Sequence, residues 1–330
     1  MMNQAWIQEH VDSFIAENRE ALLRDMKTVI DIDSVEAPAE PNAPYGAGVR
    51  KALDAALAIA RDLGLSTGEC DGYMGYADVK GDSDTQLATI THLDVVPAGN
   101  GWDSDPFDMI EKEGWLIGRG VSDDKGPALL TLYMAKFFKE YCDQTGETLP
   151  YTLRVLLGCS EETGMTDVDY YLERNPMPAF CFTPDAEFPV GYGEKGGFGG
   201  VFVSQKLSGN LLDFAGGVAG NVVPDRASAL VKADFASLQE TENVKLAAEG
   251  DCVRITGYGI GGHASKPQGT VNAIGLVVNY LLDNHLCTPE ENEYLAMLRT
   301  LLSCTDGSSF GIACQDEFFD PLTCIGGTIT

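Results

Sequence analysis

The segment Thr91-His92-Leu93-Asp94-Val95-Val96-Pro97 decides how the rest of the chain is interpreted. It follows the apolar run 87–90, which is typical of a short buried strand. His92 and Asp94 are two residues apart, so on an extended chain their side chains point to the same face. Histidine is a common metal ligand, and a neighbouring carboxylate can fix its tautomer and orientation. The pair alone is a weak signal, because such pairs are common in turns and on surfaces.

Strands alternate with helices along the first part of the chain. Apolar residues recur at three- and four-residue intervals between residues 11 and 30, which predicts an amphipathic helix. The same reasoning predicts helices at about 48–63 and 127–141, and strands at 73–79, 87–90, 115–117, 151–157 and 179–182. This alternation predicts an α/β layer fold.

Five residues lie at the end of a predicted strand or in a connecting loop: His92, Asp123, Glu161, Glu162 and Asp185. Ligands of α/β folds bind at strand ends and in the loops after them, so we expect these side chains to converge. Each residue alone is explained equally well as a helix cap, a turn residue or a solvated acid. One histidine with several carboxylates suits a hydrolytic zinc centre, with one metal ion or with two sharing a carboxylate and a water.

The adjacent acids Glu161 and Glu162 can have two different chemical roles. One can bind metal while the other takes a proton from the activated water. An exposed acidic turn is the alternative explanation of such a pair.

The residue pattern changes near Gly193, where the turn G-E-K-G opens a second segment. Strands are predicted there at 198–203, 229–235 and 253–255, with a helix at 271–282. A chain of 330 residues is too long for one ordinary core. We therefore predict a zinc-binding domain over 1–193 and a second, α+β domain over 194–330.

Composition narrows the class of protein. The net charge of −28 argues against nucleic acid as a partner, because no basic stripe can neutralise phosphates. An acidic field attracts substrates with a free ammonium group, although a solvated acidic surface explains the charge equally well. Nine cysteines without a C-x-x-C pair indicate free thiols, and no apolar run approaches the roughly 20 residues of a membrane span. These features predict a cytoplasmic protein with no membrane partner.

Five motifs occur in a fixed order: H-L-D-V-V-P, G-W-D-S-D-P-F, G-R-G-V-S-D-D-K-G-P, S-E-E-T-G and T-P-D-A-E-F-P. They closely resemble those of the co-catalytic zinc peptidases, which include PepV-type dipeptidases, carnosinases, aminoacylases and succinyl-diaminopimelate desuccinylases. T-P-D-A-E-F-P and G-E-K-G are most similar to the PepV-type branch. The resemblance implies an α/β catalytic domain, with a mixed sheet flanked by helices, and an inserted α+β lid. It also implies a dipeptide substrate, a monomer or homodimer, and two zinc ions, for which manganese or cobalt could substitute.

The resemblance also assigns roles. His92 and Asp185 correspond to ligands of the first zinc, and Asp94 to the residue that orients His92. Asp123 corresponds to the bridging carboxylate, after which relatives often have a cis peptide bond. Glu161 corresponds to the general base and Glu162 to a ligand of the second zinc.

Two further roles fall in the predicted lid. His263, in G-G-H-A-S-K-P, is similar to a residue that stabilises the tetrahedral oxyanion, and Asn221, in G-N-V-V-P-D, resembles a residue near bound substrate. A histidine that only forms local hydrogen bonds is the alternative for His263.

The sequence departs from the family near its C-terminus. Relatives supply a last zinc ligand, a histidine, from a C-terminal segment, whereas this chain has no histidine after His285. We therefore expect a truncated chain whose second zinc site lacks one ligand. The alternatives to a dipeptidase are an N-acyl-amino-acid deacylase or desuccinylase, and an inactive metal-binding fragment.

Overall fold

A computed structural model describes residues 4–99, 101–186, 188–191, 193–205 and 208–330. The chain folds into two compact units, Met1–Tyr192 and Gly193–Thr330, called unit 1 and unit 2 below. Each unit has its own hydrophobic core.

Unit 1 alternates helices and strands, as the sequence predicts. Its elements are α1 (Gln4–Ile30), α2 (Ala47–Asp62), β1 (Ser66–Cys70), β2 (Met74–Val79), β3 (Gln86–His92), β4 (Ile110–Lys112), β5 (Trp115–Ile117), α3 (Lys125–Thr145), β6 (Thr152–Gly158), α4 (Thr166–Leu172) and β7 (Phe180–Phe182). The predicted elements of this half are present, with ends that differ by a few residues.

Five of these strands form one mixed sheet in the order β1-β2-β6-β3-β7. The pairs β1–β2 and β2–β6 are antiparallel, whereas β3 runs parallel to both β6 and β7. The carboxyl ends of β6, β3 and β7 therefore lie at one edge of the sheet, and the loops that follow them meet there.

Strand β6 is buried on both faces. Val155 and Leu157 belong to the larger core with residues of α1, α2 and α3, while Leu156 packs with Tyr171 of α4 in a smaller one. Successive residues of β6 enter different cores because side chains along a strand point alternately to its two faces. Full burial of one aliphatic side chain stabilises a fold by about 1.5–3 kcal/mol. Packing in both cores therefore stabilises β6, the strand that precedes Glu161 and Glu162. Helices on both faces confirm the predicted fold class.

Unit 2 has an α+β arrangement. Its elements are β8 (Leu211–Gly216), β9 (Val222–Val223), β10 (Arg226–Lys232), β11 (Val244–Glu249), β12 (Cys252–Tyr258), β13 (Gly262–His263), α5 (Ala273–Asp283) and α6 (Pro289–Leu301). The strands β11-β12-β10-β8 form an antiparallel sheet against which α5 packs, and β9 pairs with β13. In the part of the chain that the structure describes, no helix is both long and apolar enough to cross a bilayer.

One prediction for unit 2 is wrong, and the bounds of another are shifted. Residues 198–203 form no strand, and Phe198 is 97% exposed, because no neighbouring strand among the described residues pairs with this segment. The strand predicted at 229–235 ends at Lys232, and a 3-10 turn, Phe235–Ser237, follows. The sequence analysis also missed α6, although Thr288 and Glu291 form a capping box at its start, a recognisable sequence signal.

Candidate metal centre

Three parallel strands bring four of the predicted residues to one edge of the unit 1 sheet. His92 is the last residue of β3, Glu161 and Glu162 follow β6, and Asp185 follows β7. Asp123 reaches the same edge from the loop before α3. The five predicted residues therefore converge although they are distributed over more than ninety positions of sequence.

The imidazole of His92 lies at the middle of this group. Its Nε2 is 3.0 Å from Asp123 Oδ1, 3.4 Å from Asp185 Oδ2 and 4.0 Å from Glu161 Oε2. Two sets of possible ligands share this histidine. One set comprises His92, Asp123 and Glu162, and the other comprises His92, Asp124 and Asp185, with the ligand atoms of each set within 4.8 Å of one another.

Asp94 contacts both His92 and the acidic turn. Its backbone carbonyl oxygen lies 2.9 Å from His92 Nδ1, and its carboxylate oxygen lies 3.4 Å from the same atom. The carboxylate also accepts hydrogen bonds from the backbone N–H groups of Glu161, at 3.2 Å, and Glu162, at 3.1 Å. The predicted orienting residue thus reaches His92 chiefly through its backbone, while its side chain holds the two glutamates.

Asp124 is a site residue that the sequence analysis missed. The peptide bond between Asp123 and Asp124 is cis, as the resemblance led us to expect. Asp124 is fully buried, and its Oδ2 accepts a hydrogen bond of 3.0 Å from the backbone N–H of His92. Its Oδ1 is buried and has no hydrogen-bond partner among the described residues. The adjacent aspartates 123 and 124 were the signal that the sequence offered for this residue. Only the fold shows that one carboxylate oxygen of Asp124 is buried and unpaired.

The titration behaviour of the site reflects crowded negative charge. Burial, together with nearby carboxylates, raises the pKa of Glu162 to about 7 and that of Asp124 also to about 7. Burial lowers the pKa of His92, but hydrogen bonds to Asp123 and Asp94 outweigh it and raise that pKa to about 11. The same hydrogen bond to His92 lowers the pKa of Asp123. A cation bound here would compete with the His92 proton and compensate the carboxylates.

These residues fit a divalent cation. The donors are one imidazole nitrogen and several carboxylate oxygens, a set that suits zinc and also manganese. The unpaired, buried Asp124 Oδ1 supports this assignment, because a buried polar atom without a partner is costly.

The two predicted residues of unit 2 lie side by side. His263 pairs with Val222 across the two-stranded sheet, and the backbone N–H of Ala264 donates to the carbonyl of Asn221 at 2.8 Å. His263 Nδ1 lies 2.7 Å from Ser265 Oγ and accepts the backbone N–H of Ser265 at 3.2 Å. Because a backbone N–H can only donate, the neutral ring carries its proton on Nε2.

Comparisons with known proteins identify the family to which the chain is similar. A sequence profile of peptidase family M20/M25/M40 matches residues 88–262. The putative dipeptidase YtjP of Bacillus subtilis is 30% identical over 96% of this chain and 71% of its own length. The Beta-Ala-Xaa dipeptidase of Lactobacillus delbrueckii subsp. lactis is 34% identical over 85% of this chain and 62% of its own length.

A solved structure, that of human carnosine dipeptidase 1, is 21% identical. It covers 51% of this chain and 38% of its own chain, with a TM-score of 0.43, a likeness too weak to add to the sequence comparisons.

Proposed function

The chain belongs to peptidase family M20/M25/M40 and is a metallo-hydrolase, and from this premise we propose that it hydrolyses the peptide bond of dipeptides. The two relatives are named as dipeptidases, which favours this substrate class over N-acyl-amino acids. The motifs T-P-D-A-E-F-P and G-E-K-G favour the PepV type within the family. The single observation that carries the proposal is the convergence of His92 and four carboxylates at the edge of the unit 1 sheet.

The proposed metal ligands are His92, Asp123, Glu162 and Asp185. Two zinc ions are our first choice, and manganese or cobalt are the alternatives. When bound, such cations polarise a carbonyl oxygen and lower the pKa of water toward neutrality. Asp94 and Asp124 would hold the backbone of these ligands through the hydrogen bonds described above.

Glu161 is the proposed general base. It lies beside His92 but belongs to neither set of possible ligands, so its carboxylate is free to handle protons. Burial raises its pKa, which brings it closer to the working range of a base near neutral pH. We propose that Glu161 takes a proton from the attacking water and passes it to the leaving amine.

Unit 2 would supply contacts to the substrate. With its proton on Nε2, His263 can donate a hydrogen bond to the oxyanion that develops on the scissile carbonyl. Asn221, next to it on the two-stranded sheet, is proposed as a substrate-binding residue. We also propose a cytoplasmic location, because all nine cysteines are free thiols.

The proposal is tested by dipeptide hydrolysis with the 330-residue chain, with added zinc and after chelation. The variant Glu161→Gln should lower kcat by about 10²–10⁴-fold, the range for loss of a general base, while its zinc content stays unchanged. Glu173→Gln is the matched control, since Glu173 is exposed and pairs only with Arg174 among the described residues.

Three results would contradict the proposal. Turnover that survives chelation would exclude the metal role, and full activity of the Glu161→Gln variant would exclude Glu161 as the base. Hydrolysis of N-acyl-amino acids without any cleavage of dipeptides would overturn the substrate class.

A further inference from the structure

The backbone changes hydrogen-bond partners where β6 ends. Gly158 lies opposite His92 in the parallel pair, and its carbonyl accepts the N–H of Leu93 at 2.9 Å. Three of the next four N–H groups, those of Cys159, Glu161 and Glu162, donate instead to two buried carboxylates. Glu161 and Glu162 are themselves the proposed base and the proposed metal ligand beside it.

The first of these N–H groups donates to Asp167. Its Oδ2 accepts the N–H of Cys159 at 2.6 Å, and its Oδ1 accepts the N–H of Val168 at 2.8 Å. The side chain of Asp167 reaches Cys159 because the N–H of Met165 donates to the carbonyl of Ser160 at 2.7 Å, which closes the intervening loop. A Cβ at Gly158 would lie only 2.7 Å from Asp167 Oδ2, so the absence of a side chain there permits this close approach.

The other two N–H groups, those of Glu161 and Glu162, donate to the carboxylate of Asp94. Asp94 and Asp167 are 1% and 2% exposed, and each carboxylate raises the electrostatic cost of the other. Burying two like charges together is costly unless hydrogen bonds stabilise them. A carboxylate accepts several N–H groups at once, whereas the amide of asparagine would turn its own N–H₂ toward one of them.

We propose that Asp167 is a positioning residue, which fixes the backbone at the end of β6 and thereby the places of Glu161 and Glu162. The inference rests on the proposed function, because it assigns Asp167 to the same site. Asp167 belongs to neither set of possible metal ligands, and acts through the four-residue turn. Displacement of a catalytic group by about 1 Å can cost 10²-fold in rate, so this turn controls activity from outside the metal centre.

The test compares Asp167→Asn with Asp169→Asn in the full 330-residue chain. Both aspartates lie in the first turn of α4, but only Asp169 is exposed, so the control removes the same charge without the hydrogen bonds. In Asp167→Asn, hydrogen exchange of the Cys159 amide should be about 10-fold faster or more. With saturating zinc, kcat for a dipeptide should fall about 10- to 100-fold, with KM unchanged.

Asp167→Asn with wild-type amide exchange and wild-type kcat would overturn the inference. A loss of activity that only follows the fraction of unfolded protein, with kcat per folded molecule unchanged, would overturn it too. If this variant does not fold, exchange in the wild-type chain decides: amides 159, 161 and 162 as protected as those of β6 support the inference, and exchange typical of an open turn contradicts it. If the wild-type chain cleaves no dipeptide, the proposed function fails. The exchange experiment still tests whether Asp167 fixes the backbone at the end of β6.

Discussion

The two units place their polar side chains differently. Among the described residues, all but one of the buried polar or charged side chains lie in unit 1, and several of them surround the candidate metal centre. The exception is Glu291 of unit 2. By contrast His263, the candidate catalytic histidine of unit 2, is exposed and hydrogen-bonded to Ser265.

The proposed roles account for this difference. A metal centre needs ligands that are fixed before the ion arrives, and burying charge around them costs stability. A histidine that contacts the substrate only as charge develops needs one free donor atom, and a local hydrogen bond would be enough to orient His263 for that role. In unit 2, by contrast, the buried side chains among the described residues are almost all apolar.

The largest effect in this comparison of the two units is expected from a substitution of His263, which should change kcat but leave the metal site of unit 1 intact. His263→Ala should lower kcat by about 10²–10³-fold, the usual loss for an oxyanion donor, without changing zinc affinity. Ser265→Ala should cause a smaller loss, because Nδ1 keeps the backbone N–H. His285→Asn is the control, as His285 is exposed and has a positive φ that asparagine tolerates. Reduced zinc binding by the His263 variant, measured by calorimetry, would contradict the expectation that His263 affects catalysis without affecting metal binding.

A stability experiment compares a buried charge pair with an exposed one. In unit 1, Arg154 forms two hydrogen bonds of 2.8 Å with buried Asp78, and Arg154→Met leaves that carboxylate without them. The loss should lie near the lower end of about 3–5 kcal/mol, because Lys80 remains 3.0 Å from Asp78. In unit 2, Arg254→Met breaks a more exposed pair with Glu249 and should cost much less, because solvent screens exposed charges. Urea unfolding measures both, and equal losses would refute the contrast.

A further prediction concerns Glu291, the one buried acid of unit 2 among the described residues. Burial raises the pKa of Glu291, but hydrogen bonds from the backbone N–H groups of Thr288, Leu211 and Asn210 outweigh it and leave the pKa below its ordinary 4.5. Its stabilising contribution is therefore present above pH 4.5 and is lost as the pH falls below that value. Glu291→Gln should destabilise the chain by about 1–3 kcal/mol at pH 7.

The Tm of this variant and of the wild type should converge as the pH falls through the acid range. Glu290→Gln, an exposed neighbour on the same helix turn, should match the wild type throughout. A difference in Tm that is independent of pH would show that the charge of Glu291 is not what stabilises unit 2.

Local patterns predicted the regular elements well. The apolar period placed a helix at 127–141, inside the observed α3, and a strand at 151–157, which overlaps nearly all of β6. The strand predicted at 198–203 is wrong for a physical reason: a strand forms only when a neighbour satisfies its backbone, which local sequence does not show. The missed helix α6 had a visible signal in Thr288-Pro289-Glu290-Glu291.

The supporting contacts of the site were beyond sequence reasoning. The carboxylate of Asp94 meets the N–H of Glu161 across 67 positions of sequence, and Asp124 meets the N–H of His92 across 32. No periodicity or spacing encodes such contacts, because they depend on how the strand ends are brought together. The same holds for Asp167, whose burial follows from the loop that returns α4 to the end of β6.

The sequence by itself predicted the candidate residues of the site. It identified one histidine and several acids at strand ends, since the period of apolar residues marks the ends of strands, and parallel strands end at one edge. Only the tertiary structure decided how these groups are held. Burial and hydrogen bonding depend on atoms that are distant in sequence, and they determine which carboxylates hold the backbone and which one, Asp124, keeps an unpaired oxygen.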